Sequence, residues 1–486
     1  MNDMKSGVPT ALIGRKRPLA ELLNALHSKE SEFIAIYGRR RIGKTFLVKK
    51  VFENSFAFSY TGVEDYNTRQ QLGEFYRSLL NQGLSKCAKP QNWFDAFSLL
   101  RKLLETKSIE AEQGDKKIIF LDELPWMDAK GSDFLKALGH FWNDWAAWTN
   151  DIILVVCGSA TSWMINKVFR NHGGLYNRVT RQIELAPFSL HECEEFCELN
   201  NFGWSRYMIA EAYMILGGVP HYWKMLDPSL SLYVNVDRLF FSERASMKME
   251  YRALFSSMFS FPERYEAVIN ALVNKKKGLT AKEISEYSGI GMSASLTTIL
   301  ENLSMCGFIR QISQPTKQKR GAIFQLIDNY TLFYYEYVLN RKEQSNFWSI
   351  NHASGEHKAW RGIAFERVCM QHLPQIQRAL GIGGVYCKQF SWAAPKTDEY
   401  PGMQVDMVID RADNLVNLCE IKFTEEPFAI TPEYMQKLRL RRGRYQQEIA
   451  PKKGVHLTMI TSAGVVQNPQ KFEINSFVSL DDLFAE

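Results

Sequence analysis

The sequence contains a glycine-bounded octet whose residue types suit phosphate binding. The octet, GRRRIGKT, directly follows the apolar stretch FIAIY and precedes an amphipathic segment, so it is expected to join a strand to a helix. There the glycines allow backbone N–H groups to face phosphate oxygens, Lys44 reaches the β- and γ-phosphates, and Thr45 can hold Mg²⁺. The sequence therefore predicts a site for ATP with Mg²⁺. The predicted cofactor-binding residues are Gly38, Arg39, Arg40, Arg41, Ile42, Gly43, Lys44 and Thr45.

Two acids end a second apolar stretch, IIFLDE, further along the chain. Asp122 is predicted to hold the Mg²⁺ with Thr45, and Glu123 to polarise the water that attacks the γ-phosphate. The alternative is a buried strand that simply ends in two solvated acids. The order of the two motifs, each at the end of an apolar strand, favours the nucleotide site.

Two further residues are weaker candidates for the same site. Ser159 follows the apolar stretch IILVVCG, where its hydroxyl could sense the γ-phosphate, although it could equally cap the helix that follows. Arg178 could neutralise charge in the transition state, either in its own site or in that of a neighbouring molecule. A solvated surface role is the alternative for such a lone arginine.

A second constellation lies near the C-terminus and consists of Glu366, Asp406, Glu420 and Lys422. The turn RADN separates QVDMVID from LVNLCEIKF, which predicts two adjacent strands joined as a hairpin. Because side chains alternate along a strand, Glu420 and Lys422 share one face. Two carboxylates and an ammonium around one point suit Mg²⁺ binding and activation of water against a phosphodiester. The alternative is an exposed hairpin with ordinary Lys and Glu residues.

The elements that position these residues change character along the chain. Residues 1–186 alternate apolar runs with amphipathic segments, which predicts a parallel sheet with crossover helices. Residues 187–258 are helical in pattern, and residues 259–340 read as three helices and two strands, the order of a winged helix-turn-helix. Thr280 and Glu283 form a predicted capping box there. Residues 341–486 predict a second, smaller α/β fold, with 341–350 as its linker.

Composition limits the classes of protein. The chain has 486 residues with 45% hydrophobic and 23% charged residues and a net charge of +6, which permits nucleic-acid contact without demanding it. We expect a cytoplasmic protein without a membrane partner, since no apolar run is long enough for a membrane span or a signal peptide. His191, Cys193 and Cys197 lie close together, but without a second ligand group a metal site there is disfavoured.

Three segments bear on nucleic-acid binding. The presumed recognition helix, residues 293–305, has no Lys or Arg, so it is poorly suited to the major groove. The predicted wing tip and a late helix are basic, and either could contact a phosphate backbone, although a solvated helix face is an equal alternative. We therefore expect non-specific DNA binding or a winged helix used only for packing. The basic residues are Lys317, Lys319 and Arg320 in the wing tip, and Lys437, Arg439, Arg441, Arg442 and Arg444 in the helix.

Taken together, IGRKRPLAELLNAL, GRRRIGKT, FLDELPWM, VVCGSATSWM, LYNRVTRQIELAPF and GGVPHYW resemble the archaeal-type ATPase family, within the AAA+/STAND branch of P-loop ATPases. The resemblance covers about residues 8–340. It implies an AAA+ parallel sheet with a helical lid, a nucleotide border at Gly14 and Arg15, and a lid element at Gly218 and Pro220 that faces the same cleft. The family has a second hydroxyl residue where Ala160 stands, so sensing would rest on Ser159 alone.

The C-terminal constellation is similar to the PD-(D/E)XK nuclease pattern and to a nuclease-like domain often fused to such ATPases. The resemblance implies Asp406, Glu420 and Lys422 as the catalytic core, with Asp406 and Glu420 binding metal and Glu366 supporting it. Gln404 and Val405 stand where the pattern usually has a proline.

Two functions of different classes follow. The first is an ATPase whose nucleotide state gates a metal-dependent DNA nuclease or DNA-binding domain. The second is a STAND-like signalling switch whose C-terminal unit binds a partner without cleaving. A transcription regulator is a third and weaker reading, and a homo-oligomer or protein partner is expected in the first two.

Overall fold

The computed structural model describes residues 12–110, 116–170, 173–273, 275, 278–312, 322–339, 341 and 344–486, apart from the side chains of 108–110. The chain divides into two compact units, Met1–Pro187 and Phe188–Glu486. This division lies next to the predicted boundary after residue 186. The predicted boundaries at 258 and 340 fall inside the second unit and stay predictions.

Within the described part of the first unit, five strands form one parallel sheet in the order β2-β3-β4-β1-β5. The strands are β1 (Glu32–Tyr37), β2 (Phe58–Thr61), β3 (Lys117–Asp122), β4 (Ile152–Gly158) and β5 (Arg181–Glu184). The helices are α1 (Lys16–Leu26), α2 (Lys44–Val51), α3 (Thr68–Asn81), α4 (Trp93–Glu110), α5 (Leu124–Met127), α6 (Phe134–Asp144) and α7 (Thr161–Trp163), with a 3₁₀ turn at Ala146–Trp148 and a π-helical turn at Met164–Phe169. The predicted parallel sheet is confirmed.

Both faces of this sheet are buried, which is why its strands are apolar without alternation. Phe33 and Ala35 of β1 belong to a core with α3, α4 and α6, whereas Ile34 and Ile36 belong to a core with α1 and α2. Each such Phe or Ile side chain contributes roughly 1.5–3 kcal/mol by leaving water. The two cores hold the carboxyl ends of β1, β3 and β4 in one row.

The second unit begins with α8 (Leu190–Leu199), α9 (Arg206–Leu216), α10 (Pro220–Trp223), α11 (Leu232–Val236) and α12 (Ser246–Ser256), with a π-helical turn at Asp237–Phe241. It continues through α13 (Pro262–Val273), β6 (Leu279–Thr280), α14 (Ala281–Ser288), α15 (Ala294–Met305), β7 (Ile309–Ile312) and β8 (Ile323–Leu326), and the strands pair in the order β6-β8-β7. The Thr280–Glu283 capping box is confirmed at the start of α14. The predicted element order is present, while its assignment as a winged helix-turn-helix stays a prediction.

Further along are α16 (Asn329–Phe333), a π-helical turn at Tyr334–Val338 and α17 (Phe347–Asn351). The linker predicted at 341–350 is wrong in its second half. Phe347 and Trp348 are buried, and the Asp237 carboxylate accepts hydrogen bonds from the backbone N–H groups of Trp348 (2.7 Å) and Ser349 (2.9 Å). The prediction missed these hydrogen bonds because the accepting carboxylate lies 111 positions earlier in the sequence than Trp348.

The C-terminal part has α18 (Gly355–Gln371), α19 (Leu373–Ala379), β9 (Cys387–Ala394), β10 (Met403–Arg411), β11 (Leu415–Lys422), α20 (Pro432–Glu448), β12 (Gly454–Thr461), a 3₁₀ turn at Pro469–Glu473, β13 (Ser476–Ser479) and α21 (Leu480–Leu483). Its described strands form a mixed sheet in the order β13-β12-β11-β10-β9. The pairs among β9, β10 and β11 are antiparallel, and those among β11, β12 and β13 are parallel. None of the helices in the described ranges has the length and apolarity that a membrane span requires.

Candidate functional site

The GRRRIGKT loop runs from the end of β1 into the first two residues of α2, as the sequence predicts. Gly38 has a φ of +139°, and a Cβ there would lie 2.4 Å from the carbonyl oxygen of Leu185. Both facts require glycine at this position. Gly43 immediately precedes α2, so the loop meets the positive end of a helix, where anions are stabilised.

Lys44 and Thr45 link the loop to itself and to β3. The Lys44 ammonium is buried and donates hydrogen bonds to the carbonyl oxygens of Gly38 (2.9 Å) and Arg39 (3.0 Å). The Thr45 hydroxyl donates to the Asp122 carboxylate over 2.7 Å. These bonds bring the two halves of the predicted nucleotide site together.

The donor set of this site fits Mg²⁺. Burial raises the pKa of the Asp122 carboxyl, although the hydrogen bond from Thr45 opposes that rise. A buried carboxylate beside a hydroxyl offers the hard oxygen ligands that Mg²⁺ prefers, and a cation would relieve the cost of burying the charge. Asp122 and Thr45 would therefore hold the ion, which when bound would polarise the phosphate oxygens of the nucleotide.

The arginines of the loop differ from one another. Three consecutive arginines in such a loop are expected to lie on its outer face. This is wrong for Arg39, which is 7% exposed, whereas Arg40 and Arg41 are half-buried. The Ile42 side chain packs in the core beside α2, so only its backbone is available to a ligand. Arg39 lies close to the domain because the buried Lys44 ammonium donates to its carbonyl oxygen.

Arg15 lies against the loop, which supports its prediction as a border of the site, whereas the role of Gly14 stays a prediction. The Arg15 guanidinium donates to the carbonyl oxygens of Ile42 (3.3 Å) and Ala186. Arg15 has a φ of 57° just before α1, a left-handed conformation that a side chain adopts only when its surroundings enforce it. The guanidinium therefore fixes the loop from its outer side.

Glu123 and Ser159 are in direct contact. The Glu123 carboxylate accepts from the Ser159 hydroxyl (2.7 Å) and from the Ser159 backbone N–H (3.1 Å). Glu123 also has a φ of 49°, which turns it out of the line of β3. The predicted water-polarising acid and the predicted sensor thus form one unit at the ends of β3 and β4.

Three further residues are predicted to belong to the nucleotide site. Arg178 is exposed in a turn before β5. Gly218 lies in the second unit, where its backbone touches that of Phe188 so closely that a Cβ would be 1.9 Å from the Phe188 oxygen. Pro220 is the first residue of α10. Their nucleotide roles stay predictions.

The C-terminal residues converge as the hairpin predicts. The register pairs Met407 of β10 with Cys419 of β11, so Asp406 and Glu420 lie beside each other. The Asp406 carboxylate accepts from the Ile421 backbone N–H at 3.1 Å, and the Lys422 ammonium donates to Glu420 at 2.8 Å. The predicted shared face of Glu420 and Lys422 is confirmed.

Glu420 has two further partners on α20 that sequence reasoning missed at this site. It accepts hydrogen bonds from the Tyr434 hydroxyl and from the Arg441 guanidinium, the latter at 2.6 Å. The two residues lie two helical turns apart on α20 and so share a face, which is the signal that was available. Glu420 is consequently buried with both of its oxygens engaged.

Glu366 and Asp406 carry shifted pKa values. Burial, followed by the charge of Asp406, raises the pKa of Glu366 to about 8, and burial, followed by the charge of Glu420, raises that of Asp406 to about 6. Adjacent buried carboxylates of this kind suit a divalent cation. Glu366 and Asp406 fit Mg²⁺, whereas Glu420 would have to exchange one of its present partners. Among the residues that the structure describes, no group of three or more His, Cys, Asp or Glu side chains has metal-site geometry.

Three arginines of the predicted basic face on α20 have partners among the described residues. On α20, Arg439 pairs with Glu473, Arg441 with Glu420, and the buried Arg444 with Glu448 and two backbone carbonyls. A continuous phosphate-tracking face on α20 is therefore wrong for these three arginines, because tertiary packing supplies their acids. Lys437 and Arg442 remain candidates, and the basic wing tip lies outside the described residues.

Comparison with known proteins decides the activity of the first unit. Residues 12–226 match the family described as the ATPase domain predominantly from Archaea. The chain is an ATPase. Its ATPase domain contains the whole GRRRIGKT loop, Asp122, Glu123 and Ser159, and the match extends past Gly218 and Pro220.

Relatives of the whole ATPase are distant. An uncharacterized protein of Methanocaldococcus jannaschii is 25% identical over 419 residues, which is 85% of this chain and 88% of that protein. A Walker-type ATPase of Pyrococcus abyssi has a TM-score of 0.44 at 16% identity, over 66% of this chain and 95% of that one. The Aeropyrum pernix ORC2 protein, in ADPNP–ADP complexes, has a TM-score of 0.44 at 14% identity, over 76% and 97%.

Proposed function

We propose that ATP binding and hydrolysis in the N-terminal domain control a Mg²⁺-dependent nuclease centre formed by Glu366, Asp406, Glu420 and Lys422. The observation that carries the proposal is the convergence of these four side chains, with raised pKa values at Glu366 and Asp406 and the Lys422 ammonium 2.8 Å from Glu420. Unrelated acids do not gather around a half-buried lysine in this way, because charge removed from water is costly unless it is compensated.

In this reading Asp406 and Glu366 would hold the ion, which when bound would supply polarisation of a phosphodiester. Lys422 then orients the attacking water, and its pKa is raised, despite burial, by Glu420 and Tyr434. It is therefore a charged donor at neutral pH and not a general base.

A route for control runs through α9. At its first turn Tyr207 stacks on Phe423 with ring centroids 4.3 Å apart, and Phe423 follows Lys422 directly. One turn further, Glu211 lies 3.6 Å from Arg361 of α18, the helix that carries Glu366. α9 ends at the Gly217 to Pro220 element, which is predicted to face the nucleotide. A movement of this helix would therefore displace Phe423, next to Lys422, and Arg361, on the helix that carries Glu366.

DNA is the proposed substrate, with the three-helix element of 262–326 as a non-specific contact. Arg178 is exposed, which suits a role in the site of a second copy in a homo-oligomer. The cleavage assay described below tests both proposals.

A second candidate function is a signalling switch whose C-terminal unit binds a partner without cleaving. The engagement of Glu420 by Lys422, Tyr434 and Arg441 favours it, because a carboxylate with this many donors is a poor metal ligand. This reading predicts ATP-dependent assembly and no cleavage.

The test is a cleavage assay on labelled DNA with Mg²⁺, in the presence of ATP, ADP or no nucleotide. We expect cleavage by the wild-type protein, its loss in Asp406→Ala, and loss of its nucleotide dependence in Lys44→Ala. Asp413→Ala is the matched control, since Asp413 is an exposed acid at the turn of the same hairpin. Cleavage by Asp406→Ala would refute the assignment of the nuclease centre. Absence of cleavage together with ATP-dependent assembly would favour the signalling switch.

A further inference from the structure

A cleft of about 600 Å³ lies beside the acidic site, within the second unit. Its walls are β7 and β8 on one side, α18 on another and the edge strand β9 on the third. The polar groups in its lining are Gln325, Glu366, Arg367, Ser391 and Gln404. Glu366 belongs both to this cleft and to the acidic site.

Arg367 is a cation without a partner in this cleft. Among the described residues no acceptor lies within hydrogen-bond or ion-pair distance of its guanidinium, although the side chain is partly buried. An uncompensated guanidinium at a concave surface is best stabilised by an anion.

The neighbouring Arg310 adds to the positive charge. Its guanidinium is held by the Gln325 side-chain oxygen at 2.6 and 3.0 Å, and Gln325 is neutral, so the arginine charge is not cancelled. Burial, followed by the charge of Arg367, lowers the pKa of Arg310 to about 10. The two arginines thus repel each other, and an anion bound at Arg367 would relieve that repulsion.

The cleft is continuous with the catalytic acids. The Ser391 hydroxyl, in the cleft wall, donates to the backbone carbonyl of Asp406 at 2.9 Å. Apolar side chains such as Ile312 and Ile363 line the remainder and offer a surface for a base or sugar. The volume lies in the range of small-ligand pockets, roughly 300–1,000 Å³, so the cleft admits a short piece of one strand and excludes a duplex.

We propose that this cleft binds a single nucleic-acid strand, with the Arg367 guanidinium on a phosphate next to the one that meets Glu366 and Asp406. The inference rests on the proposed nuclease function and adds to it a substrate form, a single strand or an unpaired end. Arg367 is a positioning residue in this scheme and takes no part in bond breaking.

The test measures binding and cleavage separately in the full-length protein. Binding of labelled single-stranded DNA, single-stranded RNA and duplex DNA is followed by fluorescence anisotropy at several salt concentrations, with Ca²⁺ replacing Mg²⁺. Arg367→Ala should raise the Kd for the preferred single strand about 10-fold, the loss of one charge-assisted contact, and lower the salt slope by about one. Arg367→Lys should restore the slope, and Arg378→Ala, at an exposed arginine on the next helix, should change neither.

Cleavage with Mg²⁺ should show a raised KM in Arg367→Ala with kcat nearly unchanged. If strand binding depends on Arg367 and no cleavage occurs, the result supports strand binding in the cleft and refutes the nuclease function. If cleavage is the same in Arg367→Ala and wild type, the result refutes strand binding in the cleft and supports the nuclease function. If the wild-type protein binds no strand, both proposals are refuted. The DNA and RNA arms decide which polymer supplies the phosphate.

A second pair of variants keeps the test independent of folding defects at Arg367. Ala393 is exposed on β9 in the cleft wall, where either side chain can be accommodated. Ala393→Arg should tighten strand binding and Ala393→Glu should weaken it. Equal effects of the two substitutions would overturn the proposal.

Discussion

The hydroxyl of Ser159 donates a hydrogen bond to the carboxylate of Glu123 over 2.7 Å, and the backbone N–H of Ser159 donates to the same oxygen. The two residues lie 36 positions apart in sequence and meet because β3 and β4 are neighbours in the parallel sheet. The acid that is predicted to polarise water is therefore positioned by the residue that is predicted to sense the γ-phosphate.

Removing the Ser159 hydroxyl should slow ATP hydrolysis. We expect Ser159→Ala to lower kcat about 10-fold, because the carboxylate loses one charge-assisted donor and keeps the backbone donor. Ser159→Thr keeps a hydroxyl and should retain most of the activity. Steady-state phosphate release measures both variants, and an unchanged kcat in Ser159→Ala would mean that the bond has no catalytic role.

Glu123 should separate binding from hydrolysis. We expect Glu123→Gln to bind ATP with wild-type affinity and to hydrolyse it at least about 100-fold more slowly, because the amide cannot accept a proton from water. Lys44→Ala should instead lose ATP binding, since the cation at the β- and γ-phosphates is gone. Binding of a fluorescent ATP analogue together with phosphate release distinguishes the two variants, and equal rates in Glu123→Gln and wild type would assign the base elsewhere.

Tyr207 should carry nucleotide control to the C-terminal acids. Tyr207→Ala removes the stack on Phe423, so we expect cleavage that no longer responds to ATP while the ATPase rate stays within about two-fold, given that such aromatic pairs contribute roughly 1 kcal/mol. Tyr386→Ala is the control at a tyrosine that is 71% exposed. Retained ATP dependence in Tyr207→Ala would exclude this contact from the route.

Gly218 should be required for the fold of the second unit. A Cβ at this position would lie 1.9 Å from the Phe188 carbonyl oxygen, and Phe188 N–H donates to the Gly218 carbonyl. We expect Gly218→Ala to reduce the free energy of unfolding by roughly 1–3 kcal/mol through overpacking. Gly443→Ala, in the open middle of α20, should increase it by about 0.5–1 kcal/mol. Thermal unfolding of both variants gives the comparison, and equal Tm changes would contradict the steric reason.

His372 should make the second unit less stable in mild acid. Its Nδ1–H donates to the Val368 carbonyl and its Nε2 accepts from the Leu190 N–H, so the buried ring is neutral, and burial lowers its pKa to about 4. Because the unfolded chain binds a proton at its ordinary pKa of 6.5 and the folded chain does not, this stability is complete above pH 6.5 and is lost as the pH falls toward 4.

The loss should reach roughly 2 kcal/mol between pH 7 and pH 5. His372→Gln cannot titrate, so its Tm should fall below that of the wild type at pH 7 and approach it at pH 5. A difference in Tm that is independent of pH would assign another group to the acid sensitivity.

The features that the sequence determined are local. The GRRRIGKT loop depends on a strand, a turn and a helix that follow one another, and the Asp406, Glu420 and Lys422 hairpin depends on a short turn and a two-residue period. The Thr280–Glu283 box spans three residues. Short-range steric and hydrogen-bonding rules act within such segments, so the residue order is sufficient to predict them.

Tertiary structure alone decided which charges are free. It buries Arg39, pairs Arg441 with Glu420 and Arg439 with Glu473, and leaves Arg367 in a cleft with no acceptor among the described residues. Arg441 and Arg367 look equivalent in the sequence, since each is a basic residue on a helix. They differ because a counter-ion must come within about 4 Å, and the residues that supply it belong to elements far away along the chain.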